Sequence, residues 1–170
     1  RMRPEISAFA SERFYDSAVR DGDNVQLSQY TSGCVIGRLP FVFVDVVGQE
    51  ERDSTGSYYN CAESQAIVLI VRRMLELAGG DHNKVSNSAT LRVITFYQGQ
   101  LETIQQELYN ANLGNVTVAT VDSSQGCEAD VVIVSFVRSQ QLSASEASKA
   151  GFLSDDRRIN VALTRARHQL

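Results

Sequence analysis

The chain has 170 residues, 43% hydrophobic and 21% charged, a size at which one core buries most of a polypeptide, so a single domain over residues 1–170 is expected. Its net charge of −4 and pI near 5.2 exclude a chain that holds nucleic acid through its overall field, and any such contact has to be local. The sequence has neither an apolar run of about eighteen residues nor a charged-then-apolar start, so an intracellular chain without a membrane anchor is expected. Cys34, Cys61 and Cys127 are widely spaced, with only His82 and His168 as helpers. That pattern gives no metal or disulfide framework, and buried thiols are expected.

In chain order, residues 4–13 read as a short helix and residues 16–39 as loop with short strands. Residues 41–47, Phe-Val-Phe-Val-Asp-Val-Val, are a near-continuous β-favouring apolar run, the pattern of a strand buried on both faces. A polar loop over 48–59 follows, and Asn60 is placed to cap a helix over 61–78 that Gly79-Gly80 stops. Residues 91–95 read as a second strand. After a turn at Gln98-Gly99, Leu101, Ile104 and Leu108 mark the apolar face of a helix over 100–112. Two more strands are expected at 116–119 and 131–135. Apolar strands alternating with helices of this length predict an α/β fold with a mainly parallel sheet. In such sheets ligands sit beyond the carboxyl ends of the strands. The loops at 96–100, 120–130 and before the last helix are therefore expected to be neighbours at one edge.

Four of the fourteen arginines, Arg157, Arg158, Arg165 and Arg167, fall within eleven residues near the C-terminus. On a continuous helix, Ile159, Ala162, Leu163 and Ala166 form a core stripe and push the arginines to the flanks, with Arg158 and Arg165 on the same one. Ser154, Asp155 and Asp156 supply an N-cap and an acidic first turn. Two readings follow: a solvated amphipathic helix, or planar, always-charged forks aimed at a nucleotide phosphate. Upstream, Gly126 lets a backbone approach a ligand closely. Glu128 and Asp130 offer acceptors either to ligand hydroxyls or to the arginines themselves.

These residues carry a resemblance. Thr95-Phe-Tyr-Gln-Gly-Gln100, Val121-Asp-Ser-Ser-Gln-Gly-Cys-Glu128 with Val137-Arg-Ser139, and Gly151-Phe-Leu through Ala162-Leu-Thr-Arg-Ala-Arg167 resemble helicase motifs IV, V and VI. Their order and spacing are similar to the second RecA-like domain of superfamily 1 helicases of the Upf and senataxin type. The opening Arg1-Met-Arg-Pro-Glu-Ile-Ser7 looks like that family's Tyr-Arg-Met-His-Pro element, and Gly48-Gln-Glu50 and Ser57-Tyr-Tyr-Asn60 are similar as well. The motif-bearing stretches are 1–7, 91–100, 116–139 and 151–167. Arg3, where the commonest family form has His, looks closer to helicases related to the NFX-type zinc-finger proteins.

The resemblance implies a RecA-like, P-loop NTPase-type three-layer α/β domain. It implies that Arg165 is the arginine finger on the γ-phosphate and Arg1 a second phosphate-facing arginine. Gln125, Gly126, Glu128 and Arg167 would lie near the nucleotide, with Glu128 toward the ribose. Thr95, Tyr97, Thr120 and Ser123 would touch the phosphates and sugars of single-stranded RNA or DNA. No Gly is followed by Lys, so the phosphate-cradling loop is missing from this chain. ATP and Mg2+ are then the implied cofactors, with the magnesium ligands on a preceding RecA-like domain of the same polypeptide, and the isolated chain is expected to be inactive. Two functions remain open at this stage: the C-terminal motor domain of an ATP-dependent helicase, or a catalytically inactive RecA-like module for RNA or protein binding.

Overall fold

A computed structural model describes residues 2–23, 25, 39–77, 90–139, 151 and 153–170. Helix α1, Pro4–Phe14, begins at a proline, whose fixed φ and missing N–H suit the first turn. A short antiparallel hairpin follows, β1 (Glu51–Arg52) and β2 (Tyr58–Tyr59). Its turn is tied by Asp53, whose Oδ1 accepts from the N–H groups of Thr55 and Ser57. Helix α2, Cys61–Leu77, is capped by Asn60 as expected, with Oδ1 accepting from the N–H groups of Ala62 and Glu63. The stop expected at Gly79-Gly80 lies outside the described residues.

Strand β3 (Leu91–Thr95), helix α3 (Gln98–Asn110), strand β4 (Thr117–Thr120), a single tight turn at Asp122–Ser124, strand β5 (Ala129–Ser135), helix α4 (Asp156–Leu163) and strand β6 (Ala166–Gln169) complete the order. The last four strands form one parallel sheet, β4-β3-β5-β6. Successive residues of a strand point to opposite faces. Ile94 and Val132 accordingly pack with Ile6 of α1 and Ala162 of α4, whereas Val93 packs with Ile67 and Val71 of α2 and Ile104 and Leu108 of α3. The result is the three-layer α/β sandwich of a RecA-like domain.

The sequence expectations need correction in three places. Residues 41–47 are not a buried strand: Phe43 is 86% and Val47 97% exposed. Pairing begins, with the Leu170 N–H donating to Pro40 O and the Val42 N–H to Leu170 O, and goes no further. An apolar run becomes a buried strand only when both its edges find partners. Here an apolar groove of about 1050 Å³ separates Val42, Val44 and Val46 from Val132 and Val134 of β5 and from Phe136 just after it. The arginine helix is shorter than expected, because Thr164 and Arg165 turn the chain and Ala166 and Arg167 enter β6. Finally, Cys61 is exposed and Cys127 half-buried, so neither is a fully buried thiol, while Cys34 lies outside the described residues. No described helix is long and apolar enough to cross a membrane.

Candidate nucleotide and nucleic-acid sites

The strand register decides which candidate residues can meet. Thr95, Thr120 and Ser135 sit level at the carboxyl ends of β3, β4 and β5. Ala129 pairs with Ala166 at the opposite end, and the Ala129 N–H donates to Arg165 O. The segment 121–128 therefore crosses from the carboxyl end of the sheet to its amino end, and α4 runs beside it. The expected single cluster of loops is split by this crossing. Gly151 does approach Tyr97 and Arg138 at the carboxyl end, but Glu128, Arg165 and Arg167 lie at the amino end, about 20 Å away along a strand of this length. The three loops do not meet at one edge because the polar segment 121–128 does not stay on the edge where it begins.

At the amino end, the half-buried Arg165 has its fork held in place. Nε donates to Val161 O at 3.0 Å, Nη1 to Cys127 O at 3.3 Å and Nη2 to Thr164 Oγ1 at 3.1 Å. Arg167 pairs with Glu128 at 3.1 Å and lies 3.7 Å from Asp130, so in this state the acidic pair serves the arginine rather than a ligand hydroxyl. Asp130 also accepts from the Thr90 N–H and hydroxyl. Gly126 has φ +80, a left-handed conformation, with nothing within 4 Å of where a Cβ would stand. That leaves open space beside an exposed Gln125. The Arg3 N–H donates to Arg167 O, which brings the start of α1 to the same end. Arg1 itself lies outside the described residues. Guanidinium forks around an open backbone approach fit the phosphates of a nucleotide. Among the described residues no group of three His, Cys, Asp or Glu side chains could hold a metal ion.

His168, next in β6, gives this end a pH signature. Burial lowers its pKa below the ordinary 6.5, opposed by Asp130 and assisted by Arg167 and Arg3. A histidine harder to protonate in the folded state than in the unfolded one stabilises the fold above its unfolded pKa, and this contribution is lost as pH falls through about 6.5 toward the lower folded value. The urea midpoint is therefore expected to drop between about pH 7 and pH 5, and His168→Gln should flatten that segment of the profile. An unchanged slope in the variant would assign the drop to other groups.

At the carboxyl end, Thr120 and Ser123 share hydroxyl bonds, and Ser123 is exposed. Thr95 is placed differently from the expectation. It is 0% exposed, and its Oγ1 has no partner among the described residues, so a strand passing over the surface does not reach it. Tyr97 is also buried. Burial raises its pKa, while a hydrogen bond with Arg138 works the other way, and its ring meets Tyr58 edge-on at 5.5 Å between centroids.

The sequence reading gave no role to Arg138. This arginine and Glu50 form an ion pair at 2.9 Å with side chains 9% and 5% exposed, and the guanidinium lies 4.4 Å from the centre of the Tyr58 ring. Burial disfavours the charge on Arg138, and hydrogen bonds to Glu50 and Tyr97 outweigh it, leaving the pKa above its ordinary value. The preceding Val137 is fully buried at φ +71, a strained position for a β-branched residue. Glu63 accepts from its N–H and Asn60 donates to its carbonyl. The similarity at Gly48-Gln-Glu50 and Val137-Arg-Ser139 was the available signal. A separation of 88 positions along the chain left nothing local to pair the partners.

A family model described as an AAA domain matches residues 1–170. The chain is similar to the probable helicase MAGATAMA 3 of Arabidopsis thaliana, 35% identical over 98% of this chain and 20% of that protein. Helicase sen1 of Schizosaccharomyces pombe is also 35% identical, over 100% of this chain and 10% of its own. The putative regulator of nonsense transcripts 1 of Takifugu rubripes is 35% identical over 99% of this chain and 15% of its own. The chain thus spans a fifth or less of the length of these relatives. Matched from end to end by that family model, the chain belongs to the AAA-domain family and, within it, to the superfamily 1 helicases of the Upf and senataxin type.

Proposed function

We propose that residues 1–170 form the second RecA-like domain of an ATP-dependent helicase that moves along single-stranded RNA or DNA. What supports this most directly is the convergence of Arg165, Arg167, Glu128 and Gly126 at one end of the sheet, apart from the Thr120 and Ser123 hydroxyls at the other. Arg165, with Arg1, supplies positive charge to the transferring phosphoryl group, a contribution of roughly 10³ to 10⁵ in rate when such a finger is fixed at a water-poor interface. ATP with Mg2+ supplies the phosphoryl group and its charge-neutralising metal, bound mainly by a preceding RecA-like domain of the same polypeptide. Arg167 releases Glu128 toward the ribose and turns its own fork to phosphate. Thr120 and Ser123 hold the strand by its backbone, without reading bases. Thr95 and Tyr97 support this face from beneath, Tyr97 through Arg138.

The test is nucleic-acid-stimulated ATP hydrolysis by the full-length polypeptide compared with residues 1–170 alone, with RNA and single-stranded DNA as alternative activators. Activity in the full-length protein only is the expected result, and the better activator identifies the track. A folded full-length protein that binds strand but hydrolyses no ATP would instead assign the chain to a binding module.

A further inference from the structure

We propose that the Asp122–Arg158 ion pair is the positioning contact through which a bound strand accelerates ATP hydrolysis, by fixing the loop under Thr120 and Ser123 to the helix that leads into Arg165. The proposal rests on the functional reading above. Segment 121–128 and α4 both run from the carboxyl end of the sheet to its amino end, side by side. They are joined at both ends by arginines, Arg158 in the first turn of α4 and Arg165 in the turn that follows it. Arg158 pairs with Asp122 at 3.0 Å where the segment leaves the nucleic-acid end, and Arg165 donates to Cys127 O where it reaches the nucleotide end.

Between these two joints the contact is dry. Val121 is 3%, Ser124 0% and Ala162 0% exposed, and Val121 and Ala162 share one core cluster. The nucleic-acid end of the segment is itself a small rigid unit. The Thr120 N–H donates to Ser123 Oγ, Ser123 Oγ to Thr120 O, and Ser124 Oγ to Thr120 O. A displacement of Thr120 or Ser123 by a bound backbone therefore moves Asp122 with it.

The joint at Arg165 is a single N–H to a backbone carbonyl on a fork that the functional reading also turns toward phosphate, so it is the weaker carrier of this displacement. The joint at Arg158 involves no group that the functional reading assigns to phosphate. Asp122 is 66% and Arg158 28% exposed, and exposed ion pairs add little to stability. The pair's effect should therefore appear in coupling between sites rather than in folding. Asp155, at the cap of α4, lies 3.9 Å from Arg158 and holds the guanidinium over the first turn.

The experiment uses the full-length polypeptide carrying D122N, R158Q or the charge swap D122R/R158D. Melting temperature, basal ATP hydrolysis and hydrolysis saturated with an oligonucleotide of the activating type are measured for each. The single variants are expected to keep the wild-type melting temperature and basal rate while losing stimulation by roughly tenfold, the scale of a typical coupling between sites, and the swap should recover most of it. Single variants with wild-type stimulation, a swap no better than the singles, or basal rates that fall in parallel would each overturn the coupling role. Absence of hydrolysis in the wild-type protein would overturn the functional reading instead.

Discussion

Arg165→Ala in the full-length polypeptide is expected to lower ATP turnover by about 10³-fold or more while nucleotide binding stays measurable. The size follows from how the side chain is held. Its three nitrogens are spread over Val161 O, Cys127 O and Thr164 Oγ1, so the planar fork is already oriented and loses little freedom on meeting phosphate. Arg165→Lys should recover little of the loss, since an ammonium is a compact point charge and cannot reproduce a two-pronged contact. Steady-state hydrolysis together with binding of a fluorescent nucleotide separates the two effects. Turnover in the alanine variant within a few-fold of wild type would remove Arg165 from the catalytic step.

The largest expected loss of stability comes from Glu50→Ala. With Arg138 and Glu50 almost wholly withdrawn from water, deleting the carboxylate leaves a buried guanidinium without its counter-charge and the Ser139 N–H without its acceptor. Breaking a buried pair from one side costs about 3–5 kcal/mol. For a domain of this size that corresponds to a melting temperature lower by roughly 10 °C. Glu50→Gln keeps an acceptor for both donors and should fall in between. A fall of less than about 2 °C for the alanine variant, under 1 kcal/mol on the same scale, would mean that water or a rearranged loop takes the place of the carboxylate.

The sheet and the helices facing it were legible because their signals are local. The helical spacing of Leu101, Ile104 and Leu108, the Asn60 cap and the apolar stretch in β5 need nothing beyond their own neighbours in sequence. Residues 41–47 misled because the same apolar run describes a strand with two partners and one left beside a groove. The arginine helix misled because Ala166 continues the stripe of Ala162 while the chain has already turned at Thr164. Of the alternatives the sequence left open at the candidate site, the pairing of Glu128 with an arginine is the one seen, with Arg167. The position of Arg165, Arg167 and Glu128 at the amino end of the sheet was not legible, because it depends on which way segment 121–128 crosses. Thr95 was taken for a surface contact on its motif alone, although it ends a strand at the centre of the sheet.

That crossing also bears on how such a protein diversifies. On the proposed reading, the hydroxyls that grip the track and the arginines that face phosphate stand at opposite ends of four parallel strands, joined through Asp122 and Arg158, so substitutions around Thr120 and Ser123 would alter the grip and its link to the nucleotide together. A lineage that changed its track between RNA and DNA would then have to keep that pair while it altered the hydroxyls.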